Sequence, residues 1–580
     1  MNKIPLVKLN WTNLFFTALL LFGSKYGHAQ SMPVGLPYFE DALRRAQLLE
    51  KVDSNVSFNI RPIDPIRAFR RPTSFGADSL LYPSDKIGYA NWAEKKFWKN
   101  RLQYTILPVY THTQFNKHHP YGWNDGLRIP NKGLQHYISG GVYLKAGPLE
   151  VQVRPEYLWA QNSDFQNPPF RATGIDNPDR MGTKQYRVAN TGQSFAKIHL
   201  GPLAIGYSTE NLWWGPGINN SIGLGNNAPG FRHGTIHTNR PIKTRYGTFE
   251  AQMVGAKLER SGFHPYPTAS SNWPPISADI QPVAAASKFH TFVNAMTFSY
   301  QPKWTPGLFM GFTRIVQAPG EPRNPADYFK IIYLGYRGEQ TGSGPAANGL
   351  NRNQIVSVYG RYLFKESHAE VYFEMGREDS WWDLEDLITS PTYSTAWMAG
   401  AKKIYVLPGK DKWLQLYGEM TKIQAPVSNY SRSFGYSFYT TLGNGVGWTH
   451  KGQVLGAGTG PGSNMNTAGI VLGKGMETFG LHAERVVYNE DMLYTRINYL
   501  RLNPTVNPMF IDDSKHYVDW GFMLTHHTQY GKFNLGYRLH LLRTYNFQWN
   551  YDPYGAAGPF RFPGINLWSV NADVSMVYRF

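Results

Sequence analysis

The chain has 580 residues, 42% of them hydrophobic, 15% aromatic and only 17% charged, with a formal net charge of +18. It holds no Cys, 57 Gly and 39 Pro, and its mean hydropathy is −0.41. These figures exclude a disulfide scaffold, a zinc ribbon and a cysteine redox enzyme, a disordered chain poor in aromatics, and a helical membrane protein, which needs stretches of about 20 apolar residues; a β-rich globular protein or a β-barrel remains.

The first element is a signal peptide. Lys3 and Lys8 precede the apolar run LFFTALLLF at 14–22, and the small residues Gly27 and Ala29 precede Gln30. That order of basic, apolar and small segments predicts export and a mature chain starting at Gln30. No Cys stands at the cut to carry a lipid anchor. The segment removes three Lys and no acid, so the charge falls to about +15. A basic exported protein meets anionic lipid or acidic polysaccharide rather than nucleic acid. No basic run exceeds three residues, so a merely solvated basic surface fits equally well.

Residues 38–51 (YFEDALRRAQLLEK) place Phe39, Leu43, Ala46 and Leu49 at helical spacing. From about Arg101 the period changes to two. Leu149, Val151, Val153, Tyr157 and Trp159 alternate with Glu150, Gln152, Arg154 and Glu156. Phe292, Met296, Phe298 and Tyr300 share one face; Leu535, Tyr537, Leu539 and Leu541 share another; Val570 to Phe580 closes the chain in the same rhythm. These are strands with one apolar and one mostly polar face. Short connections (146–148, 200–202, 302–306, 365–368, 531–532) alternate with long ones rich in Gly, Pro, Asn and Ser (161–193, 214–245, 260–285, 317–352, 376–395, 422–445, 543–565). Soluble sandwiches alternate too. The signal peptide, the many Tyr and Trp and the terminal Phe580 favour an outer-membrane barrel, with aromatic girdles at both lipid interfaces. The expected division is a signal peptide at 1–29, an N-terminal periplasmic segment with a short helix at 30–100, and a barrel with long extracellular or luminal loops at 101–580.

Catalytic and nucleotide motifs fail. Residues 468–475 (AGIVLGKG) have the wrong spacing for a P-loop, and no HExxH or GxSxG occurs. The His118-His119 and His526-His527 pairs point to opposite strand faces, so no metal and no cofactor is expected. Glu374, Glu378 and Asp379 are the acids available for a glycosidase pair.

Two stretches combine Trp with polar side chains. In 209–245 the pair Trp213-Trp214 precedes a Gly-Pro-Gly turn. Flat Trp faces stack on sugar rings, and Asn226, Asn227, His233, Asn239 and Arg240 suit hydroxyls and carboxylates. The same loop also suits an inward plug, with its Trp pair packed and its amides satisfying backbone. In 374–383 (EMGREDSWWD) Arg377 stands near Trp381 and Trp382, which also suit an interfacial belt. His450 and Lys451 join a glycine-rich loop at 448–462. Glu378, Asp379, Glu484, Arg485 and Asp491 are expected as a luminal charge network.

NLWWGPG (211–217), NNAPGFRH (226–233), NRPIKT (239–244), GREDSWWDLEDL (376–387) and THKGQVLGAGTGPG (449–462) resemble the capsule assembly protein Wzi family in its Bacteroidetes-type form. PEYLWAQNSDF (155–165) and GQSFAKIHLGPLAIGYSTEN (192–211) are similar to it too. The resemblance implies an all-β transmembrane antiparallel barrel of about eighteen strands with a small periplasmic helical element. It also implies a lectin-like, non-catalytic role in holding capsular or exopolysaccharide at the cell surface. On this reading the partners are that polysaccharide, outer-membrane lipid and the barrel-assembly machinery, and the protein is a monomer in the bacterial outer membrane. The rivals are a channel for anionic or sugar solutes and an envelope glycan or lipid hydrolase.

Overall fold

A computed structural model describes residues 32–36, 39–52, 55–64, 95–97, 102–165, 175–178, 180–263, 291–319, 353–378, 384–389, 391–409, 411–426, 438–440, 447–491, 516–549 and 565–580. The signal peptide and the residues Asp379, Trp381 and Trp382 lie outside them.

Eighteen antiparallel staves close into a barrel. They are β1 (Leu102–Asn116), β2 (Gly133–Ala146), β3 (Leu149–Val153 with Glu156–Ala160), β4 (Tyr186–Asn190 with Phe195–Leu200), β5 (Leu203–Ser208) and β6 (His233–Thr238). Next come β7 (Gly247–Leu258), β8 (Thr291–Pro302), β9 (Leu308–Pro319), β10 (Asn353–Phe364), β11 (Ala369–Glu378) and β12 (Thr395–Val406). The last are β13 (Lys412–Lys422), β14 (Asn464–Lys474), β15 (Glu477–Val487), β16 (Val518–Tyr530), β17 (Phe533–Tyr545) and β18 (Leu567–Tyr578). Each pairs with the next, and β18 pairs with β1 from Tyr578↔Val109 to Asn571↔Asn116. The break in β3 falls at Pro155, which has no N–H to give the ladder.

Alternation decides which face meets what. On β11, Val371, Phe373 and Met375 are exposed while Glu370, Tyr372 and Glu374 are buried. On β17, Tyr537, Leu539 and Leu541 point out while Gly536 and His540 point in. The apolar rows form the lipid-facing band of an outer-membrane barrel, and the polar rows face the lumen. Eight short turns lie at one end and nine long connections at the other, which places the short turns in the periplasm.

One expected loop is shorter than the sequence pattern implies. The second half of 214–245 is stave β6, paired with β5 and β7. Its inward row is His233, Thr235 and His237, and its outward row has Gly234 and a single large apolar residue, Ile236. So little contrast between the faces hides the period.

Helix α1 spans Phe39–Leu48, with Glu40 and Asp41 in its first turn, where they suit the dipole. It stops short of the expected 51 because Glu50 takes a φ of 56° and the Lys51 N–H returns to the Ala46 carbonyl at 2.9 Å. The helix stands inside the short-turn mouth. Leu48 packs with Phe309, Leu363, Ile404 and Trp413, and His368 Nδ1 donates to the Leu48 carbonyl.

Candidate functional site

The lumen is filled from three directions. The connection 209–232 leaves β5, turns inward and is buried almost throughout. The segment 447–463 packs on it, and residues 32–63 enter from the periplasmic side. A plug of irregular backbone carries many polar groups that need partners away from water. The inward rows of the barrel supply them as carboxylates.

Glu419 on β13 accepts the N–H groups of Ile218, Asn219 and Asn220 at 2.7, 2.9 and 3.0 Å, and the Tyr372 hydroxyl at 2.8 Å. Glu374 on β11 accepts the Ile222 N–H at 3.3 Å. Glu378 accepts the Tyr439 N–H at 2.5 Å and an Asn353 amide N–H at 2.5 Å. Glu250 on β7 accepts the Ser57 N–H at 2.8 Å. The Tyr439 hydroxyl donates to the Ile222 carbonyl at 2.6 Å and accepts the Ala457 N–H at 2.9 Å, joining the two plug segments. Burial pushes this phenol well above its ordinary range. Trp448 Nε1 donates to the Gly223 carbonyl at 3.0 Å.

The N-terminal segment grips the same loop. Arg44 donates to the Pro216 carbonyl, and Arg61 to those of Gly215 and Gly217, at 2.8, 2.8 and 2.9 Å. Arg44 also pairs with Glu370 at 2.8 Å, and Glu370 accepts a hydrogen bond from Arg361 Nε at 2.7 Å, with Arg361 Nη2 in ion-pair contact at 2.6 Å. Burial would lower the Arg44 pKa, but the Glu370 charge and hydrogen bond, together with Tyr372 and Glu40, outweigh it and hold the guanidinium above its usual value. Glycine is required where the loop turns: a Cβ on Gly217 would lie 1.9 Å from the Asn220 carbonyl oxygen, and one on Gly230 would lie 2.0 Å from that of Thr209.

The candidate residues fall into several places. Trp213 and Trp214 are 4% and 0% exposed. The Arg61 guanidinium covers the Trp213 ring at 4.6 Å, and Trp214 Nε1 donates to Gln252 at 2.9 Å. Asn226 and Asn227 are buried too: the Asn226 amide donates to the Asn124 carbonyl, and that of Asn227 to the Val454 carbonyl. His233 and His450 meet around Phe231, with ring centroids 5.4 and 5.9 Å from it. His450 accepts the Glu259 N–H at 3.0 Å, and burial, with Lys451 beside it, holds its pKa down to about 3. Lys451 pairs with Glu259 at 3.3 Å and is half-buried. Arg377 donates to the Tyr393 carbonyl at 2.6 Å. Asn239 and Arg240 lie at the opposite end of the barrel, in the periplasmic turn, where the Asn239 amide caps the Gly201 carbonyl at 3.0 Å.

Of the residues expected in a luminal charge network, Asp379 lies outside the described residues, and the other four stand at separate places. Glu378 holds Tyr439, Glu484 accepts the Tyr121 hydroxyl, and Asp491 accepts the Ala425 N–H at 2.9 Å. Arg485 pairs in register with Trp520, on the outward row of its stave. The anchors Glu370, Arg361, Arg44 and Glu419 were not singled out by sequence. Each is an ordinary charged residue at an inward strand or helix position, and its importance lies in a partner far along the chain.

Among the described residues, a cavity of about 30 Å³ lies between Pro33–Leu36, Arg154, Glu156, Asn211 and Asn226. That is room for a water molecule or two, not for a sugar ring.

The family model for capsule assembly protein Wzi matches residues 124–472. The chain belongs to the capsule assembly protein Wzi family. Among solved structures it is similar to Escherichia coli Wzi, described as an outer membrane protein involved in group 1 capsule assembly and a carbohydrate-binding β-barrel. The TM-score is 0.57 at 11% identity, covering 95% of this chain and 100% of that one. At that identity the likeness concerns the fold of this Wzi-family member. Two porin-like barrels give lower scores: OprD of Pseudomonas aeruginosa (TM-score 0.37, 9% identity, covering 84% of this chain and 95% of that one) and OprB of Pseudomonas putida (0.35, 11%, 82% and 94%). No curated protein sequence matches the chain.

Proposed function

We propose that this outer-membrane barrel holds capsular or exopolysaccharide at the cell surface without catalysing a reaction. The observation that carries the reading is the filled lumen. A barrel of eighteen staves has the girth to enclose water, yet here plug backbone occupies the interior and is tied to wall carboxylates. Such a body suits a rigid platform that offers its long loops to a polymer rather than a conduit. Glu374 and Glu378, the acids considered for hydrolysis, are both engaged in anchoring plug backbone, which supports the non-catalytic reading.

The burial of Trp213 and Trp214 favours a shaping role for that pair, with glycan contact on the outward surfaces of the loops. Of the sequence-derived candidates, Trp381, Trp382 and Lys451 suit direct contact best; Asn226, Asn227, His233 and His450 suit support from beneath. The test is binding of the host's own polysaccharide to the detergent-solubilised full chain. Retention that falls at least tenfold in W381A/W382A, in a variant that keeps its barrel, is the expected result. No binding by the wild-type chain overturns the function. Undiminished binding by the variant overturns the site.

A further inference from the structure

The positive charge is divided unequally between the two ends of the barrel. The nine long connections together hold nineteen Lys and Arg and nineteen Asp and Glu, so that end carries no net charge. The eight short connections, taking 239–246 as the one joining Thr238 to Gly247, hold seven Lys and Arg against two acids, Glu366 and Asp411. Lys412 and Lys474, both exposed at strand ends, extend the same rim, with Glu477 opposite Lys474. Between the two ends, the basic excess, which suits anionic lipid or acidic polysaccharide alike, therefore lies at the periplasmic one.

What stands beside these cations is equally informative. Tyr246 follows Arg245, Trp304 follows Lys303, and Tyr530 lies two residues before Lys532. Trp304 is 72% and Tyr530 79% exposed, which is costly in open water for rings of this size. The Arg245 guanidinium lies over the Tyr246 ring at 4.5 Å. Above the rim, the outward rows carry exposed apolar side chains, among them Phe298 on β8 and Phe522 and Leu524 on β16. Rings at the lower edge of such a band sit at headgroup depth. Lys and Arg stems adjoining them lie along apolar surface while their charges reach the phosphate layer.

We propose that the short-turn rim is a docking surface for anionic glycerophospholipid. The phosphodiester headgroups of the periplasmic leaflet bind the cations of 239–246, 303–307 and 531–532, next to the exposed rings. The neutral loop end gives no comparable attraction, so the preference also fixes the depth and orientation of the barrel. Continuity with the lipid-facing band selects a membrane headgroup over a soluble acidic partner.

The test uses the full chain in zwitterionic detergent, with phosphatidylglycerol and phosphatidylcholine offered in equal amounts and bound lipid counted by native mass spectrometry. The wild-type chain is expected to retain phosphatidylglycerol roughly fivefold over phosphatidylcholine, and to lose that preference in high salt. The variant R240Q/K243Q/R245Q/K303Q is expected to bring the ratio close to one. The loop-end control K117Q/K184Q/R232Q is expected to leave it unchanged. Heat-shift mobility on gels verifies that each variant keeps its barrel, and the salt dependence of the wild-type chain stands without any variant. Equal retention of the two lipids by the wild-type chain, or an equal loss in the loop-end control, overturns the proposal.

Discussion

A single carboxylate can decide whether a plug stays in place. Glu419 receives three consecutive backbone N–H groups and a hydroxyl, all of which lose this acceptor if the carboxylate is removed. Hydrogen bonds to a charged acceptor contribute about 1.5–3 kcal/mol each, and orphaned buried donors add to the loss. E419A is therefore expected to lower the opening free energy of 216–222 by about 3 kcal/mol. Hydrogen exchange there should quicken by roughly 100-fold, while exchange in the strands stays slow. Glu370 is a different case, because it neutralises two guanidiniums, Arg44 and Arg361, that are themselves buried. In E370Q both keep their charge and lose their counterion, at a cost of about 3–5 kcal/mol. The expected outcome is release of α1, read as proteolytic cleavage within 39–52 in variant protein whose barrel remains resistant. Cleavage no faster than in the wild type would show that packing around Leu48 and Trp413 suffices to hold the helix.

Among the elements, the two-stranded hairpin Thr449–Val454 is where pH acts on the plug. The His450 imidazole titrates near 6.5 in an open chain but only near about 3 when buried beside Phe231. Between those values the open hairpin binds a proton that the closed one does not. The closed form is fully favoured above pH 6.5 and loses up to about 1.4 kcal/mol per unit as the pH falls toward 3. Exchange at 449–455, corrected for its intrinsic rate, is expected to rise from pH 7 to pH 4.5 in the wild type and to change little in H450F. The same elements show what a sequence discloses. Staves such as β17 and β18 were legible because lipid on one side and polar lumen on the other impose period two on their residues. β6 was not, because its inward His and Thr and its outward Gly and Ile differ too little. The run of Trp and Gly in 211–217 marked the plug loop as special but not the direction its rings face. That direction depends on Arg61 and Gln252, each distant in sequence. The carboxylate anchors were beyond reach for the same reason: Arg44 and Glu370 are 326 positions apart, and no local pattern announces a pair that only barrel closure creates.

At the scale of the whole molecule, closure and filling have opposite consequences for solutes. Eighteen staves alone would leave an aqueous bore, and inward Arg, Lys and Glu rows would make it conductive. Three segments fill it here: the N-terminal segment from the periplasmic side, 209–232 from the cell-surface side, to which Arg44 and Arg61 bolt it, and 447–463 packed on 209–232. Removing either of the first two alone leaves the other attached to its own wall anchors: Glu419 and Glu374 for the loop, and the packing around Leu48 for the helix. The wild-type chain is therefore expected to be silent in planar bilayers, and replacement of 216–228 by a short glycine linker to give only brief, small openings. Combining that replacement with removal of 32–63 is expected to give steady currents, because 447–463 then loses the loop it packs on. Steady current from the wild-type chain would make it a channel and would undercut the platform reading. Silence of the doubly altered chain, with its barrel intact, would mean that 447–463 alone can seal the lumen, moving the decisive contact to Tyr439 and Trp448.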